Sequence, residues 1–167
     1  MTPADPRVTD DSTPLKTVRG TFYRAVDPAY RELALAGSRS AGRFSPPDVP
    51  TLYLSSSPEG VAAALIAHAD ARAPHLEVLA FDVSAPGIAD LRDRAAMAAL
   101  GVDVDAAAAP WQPDVEAGRT PPSWRIRSAL VELGAVGLID PSRKRPGAWH
   151  LTLFAWNEAG APTVHAL

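Results

Sequence analysis

Residues 51 to 59 have the sequence Thr51-Leu52-Tyr53-Leu54-Ser55-Ser56-Ser57-Pro58-Glu59, a stretch that contains a strand and the start of a helix. Its first four residues are β-branched, aromatic or aliphatic, which is typical of a short buried strand. The last three indicate a helix start: a hydroxyl can cap the first turn, proline suits the first helical position, and an acid suits the positive end of the helix. The stretch therefore predicts a strand that leads directly into a helix.

The predicted helix continues through Val61, Leu65 and His68, with alanine at most other positions. Alanine favours the helix and allows close packing. We therefore expect this helix to be buried against a sheet.

Four further strands are predicted on the two sides of this unit, from aliphatic, β-branched and aromatic runs at 17–26, 76–83, 136–139 and 149–156. The last run is apolar on both faces, which predicts a central strand. Helices are predicted over 28–36, 88–100 and 124–133. Asp27 is the expected N-cap of the first helix and Ser123 that of the last, and a glycine ends each of the three. Strands and helices intermix without a strict β-α-β rhythm, so the predicted fold is α+β, a mixed β-sheet with flanking helices.

The domain organisation follows from length and from the polar N-terminus. At 167 residues the chain fits one domain with a substantial core. Residues 1–16 are mostly polar and carry three prolines, which predicts a flexible N-terminal tail. Residues 17–167 are predicted to form a single domain.

The composition excludes several classes of function. A net charge of −3 gives no electrostatic footprint for nucleic acid. There is no cysteine, so disulfides and thiolate metal sites are excluded. Apolar runs are far too short to span a membrane, and the polar N-terminus does not resemble a signal peptide, so we expect a cytoplasmic protein with no membrane partner.

Familiar catalytic motifs are missing from the chain. Its four histidines form neither an HxxxH nor an HExxH pair, so no metal is expected. The sequence also lacks GxGxxG, GxxxxGK[ST] and GxSxG motifs. A bound nucleotide would therefore use neither a Rossmann nor a Walker cradle.

Polar residues at the ends of apolar elements are the remaining candidates, and four are singled out: Arg24, Arg43, Tyr53 and Ser142. Two arginines at one cleft could hold a pyrophosphate, a tyrosine could stack on a planar ring, and a serine could bond a ribose or amide. Each also has an ordinary structural interpretation, as a surface ion pair, a core residue or a turn residue. The basic run 143–145 is more typical of a solvated turn.

Five segments together resemble the RES domain, which is found in the toxins of RES–Xre toxin–antitoxin pairs, proteins that act on NAD. The similarity covers about residues 21 to 157. In chain order the segments are Phe22-Tyr23-Arg24, Gly42-Arg43-Phe44-Ser45-Pro46-Pro47, the quoted stretch from Thr51 to Glu59, Gly137-Leu138-Ile139-Asp140-Pro141-Ser142-Arg143 and Leu151-Thr152-Leu153-Phe154-Ala155-Trp156-Asn157.

This resemblance implies an ADP-ribosyltransferase-like fold and NAD as the substrate. The implied reaction cleaves the nicotinamide–ribose bond, with water, phosphate or a protein side chain as acceptor. Arg24 and Arg43 would bind the phosphates, Tyr53 would pack on nicotinamide or ribose, and Ser142 would position the nicotinamide end. Arg24 and Ser142 are thus expected to be catalytic as well as binding residues. The implied partner is an Xre-type antitoxin, and a homo-oligomer fits the family.

The chain departs from the family pattern at the glutamate, whose place on the helix, counted from Tyr53, is taken by Ala64. Ala25 also replaces a tyrosine found in some members. The chain is then an engineered inactive form, or a member whose carboxylate comes from Glu59 or Glu32, or a degenerate member that binds without catalysis. Two functions remain: an NAD-cleaving toxin with Glu59 as its candidate acid, or an inactive module that binds a nucleotide or an antitoxin.

Overall fold

The computed structural model describes residues 2–10, 13–67 and 75–167. Within these ranges one sheet of seven strands organises the chain. The strands are β1 Arg7–Thr9, β2 Leu15–Val26, β3 Leu52–Ser55, β4 Glu77–Asp90, β5 Gly137–Pro141, β6 Trp149–Leu153 and β7 Thr163–Ala166.

Five of these strands close into a barrel. Their order is β2-β3-β6-β5-β4, and β4 pairs again with β2 to complete the circle. Closure is possible because β2 has 12 residues and β4 has 14, long enough for each to pair with more than one neighbour. The β4–β5 pair is parallel and the other pairs are antiparallel, which confirms the predicted mixed sheet. Strands β1 and β7 extend it outside the barrel.

Two apolar clusters lie on the two faces of the barrel wall. The inner cluster fills the barrel and includes Phe22, Leu52, Leu54, Phe81, Ile139, Leu151 and Leu153. The outer cluster packs helices onto the wall and includes Phe44, Met97, Ile126, Leu130 and Leu138. Neighbouring residues such as Leu138 and Ile139 alternate between the two clusters, as successive strand residues must. Full burial of each large side chain contributes about 1.5–3 kcal/mol.

Helices flank the barrel. They are a short 3-10 helix at Pro28–Leu33, α1 Pro58–Ala67, α2 Arg94–Ala99, α3 Val104–Ala108, α4 Gln112–Glu116 and α5 Pro122–Glu132. Helix α1 packs against β2 and β3, as expected of an alanine-rich helix. Its predicted last residue, His68, lies outside the described residues. No helix in the described part of the chain is long and apolar enough to span a membrane.

The predicted strands are present with shifted ends, and β6 is central, between β3 and β5. The helix predicted over 88–100 is wrong in its first part, since Ile88–Asp90 belong to β4 and pair in parallel with β5. Gly87, within β4, has a φ of +76°, a conformation that glycine adopts readily. The strand therefore continues past a glycine that, in the sequence alone, indicates the end of a strand. The helix begins only at Arg94, where the Asp93 carboxylate caps it.

Two other boundaries differ in detail. Ser123 is not an N-cap, because α5 begins at Pro122 and the buried Ser123 hydroxyl donates to the carbonyl of Arg43 instead. The predicted tail, residues 1–16, includes strand β1 and the first two residues of β2. Asp27 does cap the 3-10 helix, accepting from Ala29 N at 3.0 Å.

A buried arginine ties helix α5 to the loop before β3. Arg127 Nη1 donates to the Phe44 carbonyl at 2.9 Å and to the Thr51 hydroxyl. Its guanidinium carbon lies 4.6 Å from the ring centre of Phe154, a cation–π contact. This one side chain therefore satisfies two buried acceptors that no water can reach.

We expect Arg127→Ala to lower the free energy of unfolding by about 3 kcal/mol, because it leaves both acceptors buried without a donor. Urea unfolding followed by circular dichroism measures this. Arg125→Ala, an exposed position on the same helix, is the control and should change stability by no more than about 0.5 kcal/mol. Equal effects of the two substitutions would contradict the assigned role.

Candidate functional site

A row of polar residues crosses four strands on the outer face of the barrel wall. The register pairs Tyr23 with Ser55, Ser55 with His150, and His150 with Asp140. Directly paired residues project on the same side of a sheet. The hydroxyl of Ser55 and Nδ1 of His150 are 2.9 Å apart and hydrogen-bonded. The row thus places a hydroxyl, an imidazole and a carboxyl group side by side.

Asp140 is the buried acid of this row. Arg143 Nη1 donates to its carboxylate at 3.2 Å. Burial raises the pKa of Asp140, while the nearby positive groups of His150, Arg143 and Arg43 partly oppose the rise. Burying a carboxylate costs free energy unless it is paired. The cluster around Asp140 supplies such pairing.

Arg43 and Tyr53 lie near Asp140 on this same outer side. Their polar atoms, however, already form hydrogen bonds within the protein. The Tyr53 hydroxyl is 2.6 Å from that of Ser45 and accepts from Phe44 N at 3.2 Å. Arg43 Nη1 donates to backbone carbonyls at 3.1 and 2.8 Å, those of residues 107 and 109. Burial lowers the pKa of Arg43 and raises that of Tyr53.

Arg24 lies on the other face of the wall. It follows Tyr23 by one residue and shares the inner side with Phe22, so the structure does not place it beside Arg43 or Tyr53. Its Nη1 is buried and has no hydrogen-bond partner among the described residues. Burial lowers the pKa of Arg24. A buried N–H without an acceptor is costly, and an anionic ligand would satisfy it.

Ser142 lies beyond one end of the barrel wall. One residue beyond the polar row, Ser56 bonds with Trp149, which in turn pairs with Pro141. Because β2 and β3 are antiparallel, Phe22 lies at this level of β2, with its ring centre 5.4 Å from that of Trp149, whereas Arg24 lies on the other side of the polar row, level with Leu54. Ser142 follows Pro141 in the chain, so the structure does not place it beside Arg24. We call this end of the barrel the rim.

Ser142 orders the turn that follows β5. Its hydroxyl accepts from Arg145 N at 3.2 Å, and its own N–H donates to the Ala148 carbonyl at 2.9 Å. Glu59 is exposed in the first turn of α1, and Ala64 is half-buried further along that helix. Glu32 is exposed on the 3-10 helix.

An open groove of about 550 Å³ separates α1 from this turn. It is lined by Glu59, Ala62, Ala63, Lys144, Arg145 and Pro146. The helix and the turn converge at its base, where a Cβ placed on Gly60 would lie 3.6 Å from that of Ala148. Of the predicted site residues, Glu59 lines this groove.

Sequence reasoning missed the polar row and the groove. One signal was available for Asp140, an acid that directly follows Leu138 and Ile139 in an apolar strand. Nothing local indicates that Ser55 and His150 meet, because strand register brings them together. No three histidine or acidic side chains cluster as a metal site within residues 2–10, 13–67 and 75–167.

Comparison with known proteins identifies the family. The model of the RES domain matches residues 21–166, so the chain belongs to the RES family. The fold is similar to that of a chain in the crystal structure of the M. tuberculosis MbcT–MbcA toxin–antitoxin complex, with a TM-score of 0.57 and 17% identity. The match covers 89% of this chain and 81% of that one. No curated protein matches the sequence.

The raised pKa of Asp140 predicts a pH-dependent stability. In the folded state the Asp140 carboxyl keeps its proton over a range of pH in which the same carboxyl of the unfolded chain, with its usual pKa of 3.8, has lost it. The contribution of Asp140 to stability is therefore highest below that usual value and falls as the pH rises to the raised value. Asp140→Asn removes this decline, so its unfolding free energy should fall less with pH over the interval.

Urea unfolding at a series of pH values measures the difference. Glu158→Gln, at an exposed acid, serves as the control and should follow the wild-type profile. Parallel profiles for Asp140→Asn and the wild type would show that Asp140 does not have the raised pKa.

Proposed function

We propose that this chain is the NAD-cleaving toxin of a bacterial toxin–antitoxin pair. One observation carries the proposal: at the position of the RES arginine, Arg24 has a buried Nη1 with no acceptor in the described structure. A guanidinium held in this way favours binding of an anion, because the anion accepts the hydrogen bond that the buried N–H otherwise lacks. Membership of the RES family supports the nucleotide phosphates of NAD as that anion.

The proposed reaction breaks the bond between nicotinamide and ribose. Nicotinamide leaves with the bonding electrons as a neutral molecule, and the ribose passes through an oxocarbenium-like state. Water, phosphate or a protein side chain then bonds to the ribose carbon and gives up a proton. Arg24 fixes the phosphates and so orients the ribose, while Ser142 hydrogen-bonds the nicotinamide end.

A carboxylate near the ribose stabilises the positive charge that develops there. Ala64 cannot provide one, and Asp140 is already paired with Arg143. Glu59 remains the best-supported acid of the described structure, since it lines the groove beside the rim, whereas Glu32 lies on the 3-10 helix. Activity without a restored glutamate would therefore depend on Glu59.

The wider assignment also belongs to the proposal. We assign the barrel to the ADP-ribosyltransferase-like class, as the resemblance implies. An antitoxin partner is supported by the MbcT–MbcA complex, whose fold match extends over most of this chain. The resemblance to RES–Xre pairs implies an Xre-type antitoxin, a homo-oligomer fits the family, and we propose both for this chain.

A second candidate is an inactive RES module that binds a nucleotide or an antitoxin without turnover. Ala64 favours it, because the helix position that should carry the acid has no charge. Arg24 and Ser142 would still be present to bind a ligand in that case.

NAD consumption by the purified protein decides between these functions. We expect Ala64→Glu to raise the rate at least about 100-fold, since removing one electrostatic stabiliser costs enzymes about 10²–10³. Adding Arg24→Ala to that variant should abolish the gain. Nicotinamide release, followed by chromatography, is the readout.

Each result has one interpretation. Activity in the unmodified chain that Glu59→Gln removes would place the acid on the first turn of α1. Binding of NAD without turnover in any variant would favour the inactive module. Absence of both binding and turnover would overturn the proposal.

A further inference from the structure

A buried acid holds the turn of residues 142–148, which joins β5 to β6. Arg143 Nη1 in this turn donates to the Asp140 carboxylate at 3.2 Å, and the Asp140 side chain is 6% exposed. A charge-assisted hydrogen bond is stronger than a neutral one, and the low dielectric of a buried position strengthens it further. Ser142 lies between the two partners in the chain, so the ion pair also fixes its place.

Asp140 also lies between two arginines of like charge. Burial lowers the pKa of Arg43, the nearby charge of Arg143 lowers it further, and the charge of Asp140 opposes the change. Arg43 is held in place, because its Nη1 donates to the carbonyls of residues 107 and 109 at 3.1 and 2.8 Å. Without the Asp140 carboxylate the two guanidinium groups would repel each other, and Arg143, on the turn, is the group that would move.

The hydroxyl of Ser142 is oriented by the same turn and keeps its proton free. It accepts from Arg145 N at 3.2 Å, and Ser142 N donates to the Ala148 carbonyl at 2.9 Å. Its O–H has no acceptor among the described residues, so it can donate to a ligand. A directional hydrogen bond to a ligand needs a donor that is fixed to within about 0.5 Å. The usefulness of Ser142 therefore depends on the position of the turn.

We infer that Asp140 is a positioning residue for Ser142: through Arg143 it holds the turn so that the Ser142 hydroxyl donates to the carboxamide of the nicotinamide. Asp140 does not contact the ligand in this role, since its carboxylate is buried and paired. The inference rests on the proposed function and adds to it the residue that sets the geometry of the nicotinamide end. Binding of the phosphates should not depend on Asp140.

Calorimetric binding of NAD and of ADP-ribose to the full chain tests this role, because ADP-ribose has the phosphates but no nicotinamide. Asp140→Asn should weaken NAD about tenfold, the scale of one lost hydrogen bond, and should leave ADP-ribose within about twofold. Ser142→Ala should have the same selective effect. The double variant Asp140→Asn/Ser142→Ala should weaken NAD no more than the larger single change, because both act through one hydrogen bond. A merely structural role would change both affinities alike.

Limited proteolysis measures the order of the turn without any ligand. Trypsin cleaves after arginine and lysine, and the turn carries three exposed basic residues. Asp140→Asn should raise the rate of cleavage in the turn about tenfold, because a turn that has lost its ion pair opens more often. Asp114→Asn is the matched control, since Asp114 likewise accepts from an arginine, Arg119 Nε, at 3.0 Å. It should leave cleavage in the turn and both affinities within about twofold.

The outcomes separate this inference from the proposed function. Equal weakening of NAD and ADP-ribose by Asp140→Asn, or unchanged cleavage of the turn, would overturn the role of Asp140 and leave the function standing. A wild-type chain that binds neither ligand would overturn the proposed function and the inference with it. Arg143→Gln breaks the same ion pair from its more exposed partner, and it should reproduce the selective loss of NAD binding even where Asp140→Asn does not fold.

Discussion

The pairing of β4 with β2 closes the barrel, and the positions of the polar residues depend on it. Because β4 also pairs with β5, the wall is continuous and each residue has a fixed face. Arg24 therefore projects inward, whereas Ser55, His150 and Asp140 share the outer side. At the rim, the end of β3 and the turn after β5 bring α1 and the basic residues to opposite sides of one groove.

Stability and proposed function conflict in the barrel wall. The inner cluster and the outer cluster supply the apolar burial that holds the wall together. Against this, Nη1 of Arg24 and the Thr152 hydroxyl are buried without hydrogen-bond partners in the described structure. Groups of this kind destabilise a fold unless they are satisfied. A ligand at Arg24 would recover part of that cost, which links binding to stability.

Local sequence patterns predict the strands, the 51–59 strand-to-helix unit and the mixed sheet, since alternation and capping act over a few residues. They fail at Ile88–Asp90, where pairing with β5 outweighs the local alanine-rich pattern. The RES motifs indicate Arg24 and Ser142, but position in the chain does not tell which face a strand residue takes. The groove likewise depends on a helix and a turn that are about 80 residues apart.

The central claim is that Arg24 holds the phosphates of NAD, and calorimetric binding of NAD to the wild type and to Arg24→Leu tests it most directly. Leucine removes the buried charge but keeps apolar bulk, so the variant should fold. The account predicts that NAD binds the wild type and that binding to Arg24→Leu is at least about tenfold weaker. Equal binding by the two proteins would contradict it.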